Sequence, residues 1–172
     1  SVCRHCGLYR SIARLAARTF PLACPPAANA ADIEAAIAAN LSPQRFAAYL
    51  ADPDRVILVA TDDGRIVGYT MLIRGIGDEP DLAAAVPHGP AVEVSKMYVV
   101  GTHHSTGASA QLMGSGIEWA TDHGAAAMWL GVNRNNERAQ RFYRKTGFAD
   151  TGTRRFRLGQ SYEDDLVMVR PI

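Results

Sequence analysis

The sequence predicts a single domain of the α/β or α+β class over residues 1–172, with a mixed central sheet flanked by helices. The chain has 172 residues, which is enough for one domain and short for two of ordinary size. Hydrophobic residues make up 48% and charged residues 20%, a composition typical of a folded globular protein. Segments of helical periodicity alternate with short β-branched runs, which favours helices packed on a sheet.

The N-terminal third of the chain predicts helices. Apolar residues at helical spacing indicate a first helix over residues 8–20, which Pro21 should end because proline cannot continue a helix. Residues 30–40 are rich in alanine and predict a second helix. Ser42 is a typical capping residue, and it predicts a third helix over residues 43–51.

The middle of the chain changes to β-type patterning. Two β-branched runs predict strands over residues 55–61 and 65–74, joined by a two-residue Asp-Gly hairpin turn. Residues 75–90 combine glycine, proline and acidic residues and predict a loop. Residues 91–100 predict a third strand.

The C-terminal part alternates helices and strands. The patterns predict a helix over residues 107–123, a strand over 126–132 and a short helix over 135–145 that ends at Gly147. The remaining residues predict a final pair of strands.

Charge and hydropathy exclude two classes of partner. Lys and Arg total 18 and Asp and Glu total 17, giving a net charge of +1, whereas nucleic-acid-binding domains usually carry a clear basic excess. No run of eighteen apolar residues is present, so we expect no membrane partner. The N-terminal residues lack a signal-peptide pattern, and we expect a cytoplasmic protein.

The cysteines do not predict a metal site. Cys3 and Cys6 form a Cys-Arg-His-Cys run, and Cys24 stands apart. A closed zinc site needs four ligands, usually from two such pairs, and no second pair exists. We therefore expect no metal and interpret the thiols as incidental.

One strand-to-helix junction favours phosphate binding. A strand ends near residue 99, a short polar loop with Gly107 follows, and a helix begins. The first turn of a helix exposes backbone N–H groups and a positive dipole end, and small residues let a phosphate approach them. This junction is a candidate pyrophosphate site.

A second strand-to-helix junction carries a more specific sequence motif. It reads Asn136-x-x-Ala139-x-x-Phe142-Tyr143-x-x-x-Gly147-Phe148, in which Asn136, Ala139 and Tyr143 share one helix face and Phe142 is expected in the core. This segment resembles motif B of the GNAT N-acetyltransferases, and the first junction resembles their motif A. The order of elements matches over nearly the whole chain.

Within that superfamily, the sequence is most similar to the PaiA-like bacterial polyamine (spermidine and spermine) acetyltransferases. The stretches that carry this likeness are Val92-Glu93, Met97-Tyr98-Val99, Trp129-Leu-Gly-Val132 and the tail from Gly152 to Met168.

The resemblance implies acetyl-CoA as co-substrate and a defined set of contacts to it. A backbone N–H of the motif A strand would face the thioester carbonyl, the loop amides would bind pyrophosphate, and motif B would contact the pantetheine arm. The residues so implied are Met97, Tyr98, Val99, His104, Ser105, Thr106, Gly107, Ala108, Ser109, Asn136, Ala139 and Tyr143.

The resemblance also implies two catalytic residues. Tyr143 would be the general acid toward the coenzyme A thiolate, and Glu93 would be a general base, directly or through water. The family loop is altered here, because His104 replaces an Arg or Gln and Ser109 replaces a small residue. His104 could still donate to a phosphate, with a charge that varies near neutrality.

The acceptor is open at this level. Acidic residues in two loops would favour a cationic amine if they converge on one mouth; they are Asp78, Glu79, Asp81, Glu163, Asp164 and Asp165. The proline-rich segment 21–26 would wall the acceptor site. We expect direct transfer to a small-molecule primary amine such as a polyamine, because no cysteine lies near the motifs to carry the acyl group.

Alternative interpretations are a protein or aminoglycoside N-acetyltransferase, and a non-catalytic acyl-CoA-binding regulatory domain. Tyr143 argues against the last, because a module that only binds needs no acid for a thiolate. A homodimer is left open.

Overall fold

The computed structural model describes residues 8–87, 89–158 and 160–172. The helices are α1 (Leu8–Ala23), α2 (Ala30–Asn40), α3 (Pro43–Ala51), α4 (Pro80–Ala85), α5 (Ala108–Asp122) and α6 (Glu137–Lys145). The strands are β1 (Arg55–Asp62), β2 (Arg65–Arg74), β3 (Ala91–Val99), β4 (Ala127–Asn133), β5 (Ala149–Leu158) and β6 (Ser161–Pro171). Cys3 and Cys6 lie outside the described residues.

Local chemistry explains the elements that were predicted correctly. The Ser42 side chain caps α3 by accepting a hydrogen bond from the Arg45 amide at 3.2 Å. Asp63 and Gly64 both have positive φ, 47° and 74°, as a type I′ hairpin turn between β1 and β2 requires. Gly147 has φ 92° and ends α6, as predicted.

Two predictions were wrong in detail. Helix α1 continues through Pro21 to Ala23, because a proline in the last turn removes only one hydrogen bond and leaves most of the helix intact. The predicted loop over residues 75–90 contains α4, a helix of six residues with Pro80 at its start. Its apolar side chains Leu82 and Ala85 pack on the sheet, which stabilises a helix too short to show a period.

The six strands form one mixed sheet in the order β1-β2-β3-β4-β6-β5. All neighbours are antiparallel except β3 and β4, which run parallel. Helix α5 covers one face over a core that includes Leu72, Val92 and Met128, and helices α1, α3 and α4 cover the other. The predicted fold class is confirmed. None of the described helices is long and apolar enough to cross a membrane.

The parallel pair β3–β4 creates the opening in the sheet. The strands pair only from Ala91–Ala127 to Glu93–Trp129 and then separate. Beyond that point the rest of β3 pairs with β2 alone and the rest of β4 pairs with β6 alone. We call the resulting gap the wedge, and the position of Glu93 and Trp129 its closed end.

Candidate active site

A cavity of about 530 Å³ fills the wedge. Its walls come from the second half of β3, the end of β4, the first turns of α5 and α6, the end of α1, and strands β5 and β6. Because β3 and β4 no longer bond each other there, alternate backbone N–H groups of β3 lack a strand partner on this side. Met97, Tyr98 and Val99 all line this edge, where the sequence places the group that faces a thioester carbonyl.

The far end of β3 leads into the N-terminus of α5. Gly107 precedes this helix with φ 83°, a left-handed conformation that glycine adopts without strain. Among the described residues, none accepts a hydrogen bond from the backbone N–H groups of residues 107–110. Gly107, Ser109 and Ala110 line the cavity, so these free donors and the positive helix end are available to an anion in it.

Three predicted loop residues do not line the cavity with their side chains. The Thr106 hydroxyl donates to the His103 carbonyl at 2.8 Å, and Ser105 is exposed in the same turn. Ala108 is buried against Val99 and packs the helix onto β3. A role of these residues in phosphate binding would therefore rest on backbone groups.

His104 lines the cavity with a fixed tautomer. Its Nε2 lies 2.7 Å from the Val99 carbonyl oxygen, so this nitrogen carries the hydrogen. In the neutral ring the other nitrogen, Nδ1, has a lone pair and cannot donate to a phosphate. His104 can therefore donate a second hydrogen bond only when the ring is protonated.

Helix α6 presents the motif B residues to the same cavity. The Asn136 side-chain oxygen caps the helix by accepting from the Ala139 amide at 3.1 Å, which leaves its NH₂ group free to donate to a ligand. Asn136, Ala139 and Tyr143 all line the cavity, as their predicted shared face implies. Phe142 packs against the core as predicted, and it also reaches the cavity wall.

Tyr143 is oriented by its aromatic neighbours. Its ring makes edge contacts with Phe142 and Phe148, at centroid distances of 5.5 and 6.0 Å. No residue in the described ranges forms a hydrogen bond with its hydroxyl group. Burial raises the pKa of Tyr143 to about 12, so the phenol stays protonated near neutrality and can act as a proton donor.

The Acetyltransferase (GNAT) family model matches residues 11–148, which is most of the chain. The chain belongs to this family. An uncharacterized N-acetyltransferase from Mycobacterium tuberculosis is 55% identical over 161 residues, covering 94% of this chain and 96% of the relative. A relative from Mycobacterium bovis matches to the same extent.

Solved structures share the fold at low identity. The PaiA N-acetyltransferase of Thermoplasma acidophilum, solved in complex with coenzyme A, is 15% identical with a TM-score of 0.72, over 95% of this chain and 92% of that one. Aminoglycoside 6′-acetyltransferase type Ii is 16% identical with a TM-score of 0.67, over 95% and 89%. Likeness at this level shows the fold alone.

This GNAT protein is therefore an N-acetyltransferase that uses acetyl-CoA. The described residues suit that co-substrate, because the free amides at the start of α5 would hold its pyrophosphate and the wedge would take its arm. When bound, acetyl-CoA supplies the acetyl group as a thioester. Among the described residues, no cluster of His, Cys, Asp or Glu side chains could hold a metal ion.

Glu93 is not part of the cavity wall of this enzyme. It lies at the closed end of the wedge with 18% of its side chain exposed, and its Oε1 is 4.0 Å from Nη1 of Arg154. Burial raises the pKa of Glu93, while Arg154 and Lys96 oppose that shift. A role as base would therefore depend on a water molecule or a side chain between Glu93 and the substrate.

Cys24 does line the cavity, so the expectation that no cysteine lies near the site was wrong. The segment after α1 folds back over the wedge, which the sequence could not show. The thiol donates to the Phe20 carbonyl at 3.4 Å, and burial together with Glu163 raises its pKa. Because only the thiolate is a strong nucleophile, a protonated Cys24 is a poor acyl carrier.

Three charged residues of the cavity wall received no role from sequence reasoning: Lys96, Arg138 and Arg154. Lys96 turns toward the cavity next to a β-bulge, since Met71 pairs with Lys96 and Leu72 pairs with Val94. No sequence pattern predicts a bulge at this position.

The acidic residues divide between two places. Glu163 and Asp165 line the cavity, whereas Asp164 points to the opposite face of β6. Asp78, Glu79 and Asp81 lie around the start of α4 and are not in the cavity wall. The second predicted acidic loop therefore contributes two residues to the cavity wall, and the first contributes none.

Proposed function

We propose that this enzyme transfers the acetyl group of acetyl-CoA directly to the primary amine of a small molecule. The observation that carries the proposal is the pair of carboxylates, Glu163 and Asp165, in the cavity wall near the reacting edge of β3. Burial raises the pKa of Tyr98, and Tyr143, Cys24 and Asp165 add to that shift, so the acid lies near that edge. A carboxylate at this position can hold an ammonium group and take its proton.

The reaction would then need two proton transfers, one from the amine and one to the departing thiolate. The amine loses a proton to a carboxylate in the cavity and attacks the thioester carbon, forming the amide and breaking the carbon–sulfur bond. A β3 backbone N–H among residues 97–99 would stabilise the charge on the carbonyl oxygen. Tyr143 would return a proton to the departing thiolate.

The residues at the end of α1 support an acceptor site that is walled on one side. Leu22, Ala23, Cys24 and Pro25 line the cavity, so the proline-rich segment contributes a wall, as its position in the chain suggested. The cavity of about 530 Å³ has to hold part of acetyl-CoA as well as the acceptor. A wall on this side of the remaining space favours a small amine over the exposed terminus of a folded protein.

A polyamine is one acceptor of this kind, and Glu163 and Asp165 support it because each can pair with a cationic nitrogen. Lys96 and Arg154 lie at the same end of the cavity and would repel a ligand that carries positive charge alone. A panel of acceptors from several chemical classes distinguishes a polyamine from a small amine that carries other charges.

The test is thiol release from acetyl-CoA with polyamines, aminoglycosides, amino acids and peptides as acceptors. We expect turnover above the hydrolysis background with at least one class of small amine. Turnover with peptides alone would replace the small-molecule proposal by protein acetylation. Binding of acetyl-CoA without acetylation of any acceptor would favour a regulatory domain.

A further inference from the structure

The guanidinium group of Arg154 packs over the Trp129 ring at the closed end of the wedge. Its guanidinium carbon is 5.4 Å from the ring centroid of Trp129, in cation–π geometry. The group crosses β4 directly above Gly131, where an added Cβ would lie 2.7 Å from its Nε. Because the Trp129 indole donates to the Gly75 carbonyl at 3.1 Å, the ring beneath the cation is itself fixed.

The hydrogen-bonding capacity of Arg154 is unused. Arg154 lines the cavity with 14% of its side chain exposed, and it makes no hydrogen bond with any residue that the structure describes. Its Nε is fully buried without a partner. Glu93 forms a long ion pair with Arg154, but its oxygen is 4.0 Å from Nη1 and therefore beyond hydrogen-bond distance. Asp165 stands directly opposite on β6, yet no ion pair joins the two side chains.

A guanidinium has five N–H donors, and buried donors without a partner are costly. Native proteins pair nearly all of them, so a set of unused donors beside a cavity indicates a ligand that supplies the acceptor atoms.

A second cation lies at the same end. Lys96 lines the cavity with its Nζ 5.6 Å from the Tyr49 ring centroid, and none of the described residues forms a hydrogen bond with that nitrogen. Burial lowers the pKa of Lys96 to about 8 although Glu93 opposes the shift. An anion bound next to Lys96 would favour its charged form.

The cavity wall also contains a carboxylate without a hydrogen-bond partner among the described residues. Asp165 is 6% exposed and lines the cavity, and its carboxylate accepts no hydrogen bond from the part of the chain that the structure describes. Two cations and an acid without hydrogen-bond partners therefore face one space.

We propose that the acceptor carries a carboxylate beside its amine, that Arg154 and Lys96 bind the carboxylate, and that Asp165 holds the ammonium group. This inference rests on the proposed function and narrows the acceptor to amino acids and related amines. A planar guanidinium matches a carboxylate through two parallel hydrogen bonds. A plain polyamine offers no oxygen and would leave the donors of Arg154 unused.

The test compares acceptors that differ only by a carboxylate: lysine with cadaverine, ornithine with putrescine, and phenylalanine with phenethylamine. We expect kcat/KM to be at least about tenfold higher for the carboxylate member of a pair, the size of a charge-assisted hydrogen bond. Arg154→Met should remove that advantage, so that the two members of each pair have similar kcat/KM in the variant, because the carboxylate contact is lost. Arg154→Lys should restore part of it.

The matched control is Arg155→Met. Arg155 is the next residue of β5, is exposed, and lies over the Tyr162 ring outside the cavity wall. Each variant is checked by thermal unfolding and acetyl-CoA binding, and Lys96→Met supplies the same comparison if Arg154→Met does not fold. Equal kcat/KM within every pair, or an equal loss for both members in Arg154→Met, overturns this inference while amine acetylation stands. Absence of turnover with every small amine overturns the proposed function with it.

Discussion

Tyr143 contributes to packing, and we propose that it also contributes to the chemistry. Its ring is held between Phe142 and Phe148, and its hydroxyl faces the cavity without a hydrogen-bond partner among the described residues. The motif indicated its role from sequence. The raised pKa adds a physical reason for it, because a phenol that stays protonated can give its proton to a thiolate.

Replacing Tyr143 by Phe should lower kcat by about 100-fold, the usual contribution of a general acid, because the ring remains but the proton donor is lost. The Kd for acetyl-CoA should change by less than about twofold, since the hydroxyl adds little to ground-state binding. Steady-state kinetics and calorimetry measure the two quantities. Tyr162→Phe, at an exposed tyrosine of β6, is the control. Unchanged turnover in Tyr143→Phe would assign the proton to another donor.

Asp165 lies in the cavity wall, and its burial there lowers the stability of the folded protein when the carboxyl is ionised. Burial raises its pKa to about 6, against the opposing effect of Arg154. The folded protein therefore binds this proton more tightly than the unfolded chain does. The resulting contribution to stability is complete below about pH 4, the ordinary range of an Asp, and is lost as the pH rises through about 6.

Asp165→Asn should therefore raise the free energy of unfolding at pH 8 by about 3 kcal/mol and change it little at pH 4, because an amide carries no charge to desolvate. Denaturant unfolding at the two pH values measures the difference. Asp164→Asn, on the exposed face of the same strand, should follow wild type at both. A variant equally stable relative to wild type at both pH values would contradict the assignment.

At the scale of elements, the start of α5 is the part of the candidate cofactor site that follows most directly from local sequence. A strand, a glycine-containing loop and a helix follow one another in the chain, so the free amides arise from consecutive residues. The same reasoning recovered the hairpin of β1 and β2 from Asp63 and Gly64. It missed α4, whose six residues are stabilised by contact with the sheet and show no period of their own.

Gly107→Ala tests whether the start of α5 binds the pyrophosphate, and Gly124→Ala at the other end of α5 is the reference. Gly107 and Gly124 flank α5 with φ values of 83° and 73°, and an added Cβ meets no atom within 4 Å at either position. Both alanine variants should therefore lose about 1 kcal/mol of stability through backbone strain. Only Gly107→Ala should weaken acetyl-CoA binding, by about tenfold, because its methyl group stands where the pyrophosphate approaches. Equal affinity of the two variants would argue against phosphate binding at this turn.

At the scale of the whole molecule, the separation of β3 from β4 determines where chemistry can occur. A continuous sheet would pair the N–H and C=O groups of Met97 to Val99, and the wedge instead leaves that edge open beside a cavity. The elements on both sides of the wedge come from distant parts of the chain. A ligand that spans the wedge should therefore stabilise the fold as a unit.

Acetyl-CoA at 100 times its Kd should add about 2.7 kcal/mol to the free energy of unfolding and raise the Tm by roughly 5–10 °C. Differential scanning fluorimetry measures this shift. Acetyl-pantetheine, which lacks the nucleotide and its pyrophosphate, should give a smaller shift at the same concentration, because it leaves the α5 amides free. Equal shifts from the two ligands would place the main binding energy away from α5.

The sequence by itself determined the family, the fold class and the motif residues, because each of these depends on short stretches with local physical meaning. Asn136, Ala139 and Tyr143 share a face because they are three and seven residues apart on one helix. Only the tertiary structure showed that Lys96, Arg154 and Asp165 line one cavity and that Glu93 lies outside its wall. These side chains come from β3, β5 and β6, and their meeting depends on a bulge and on strand register. Both are set by contacts between distant residues that no local pattern records.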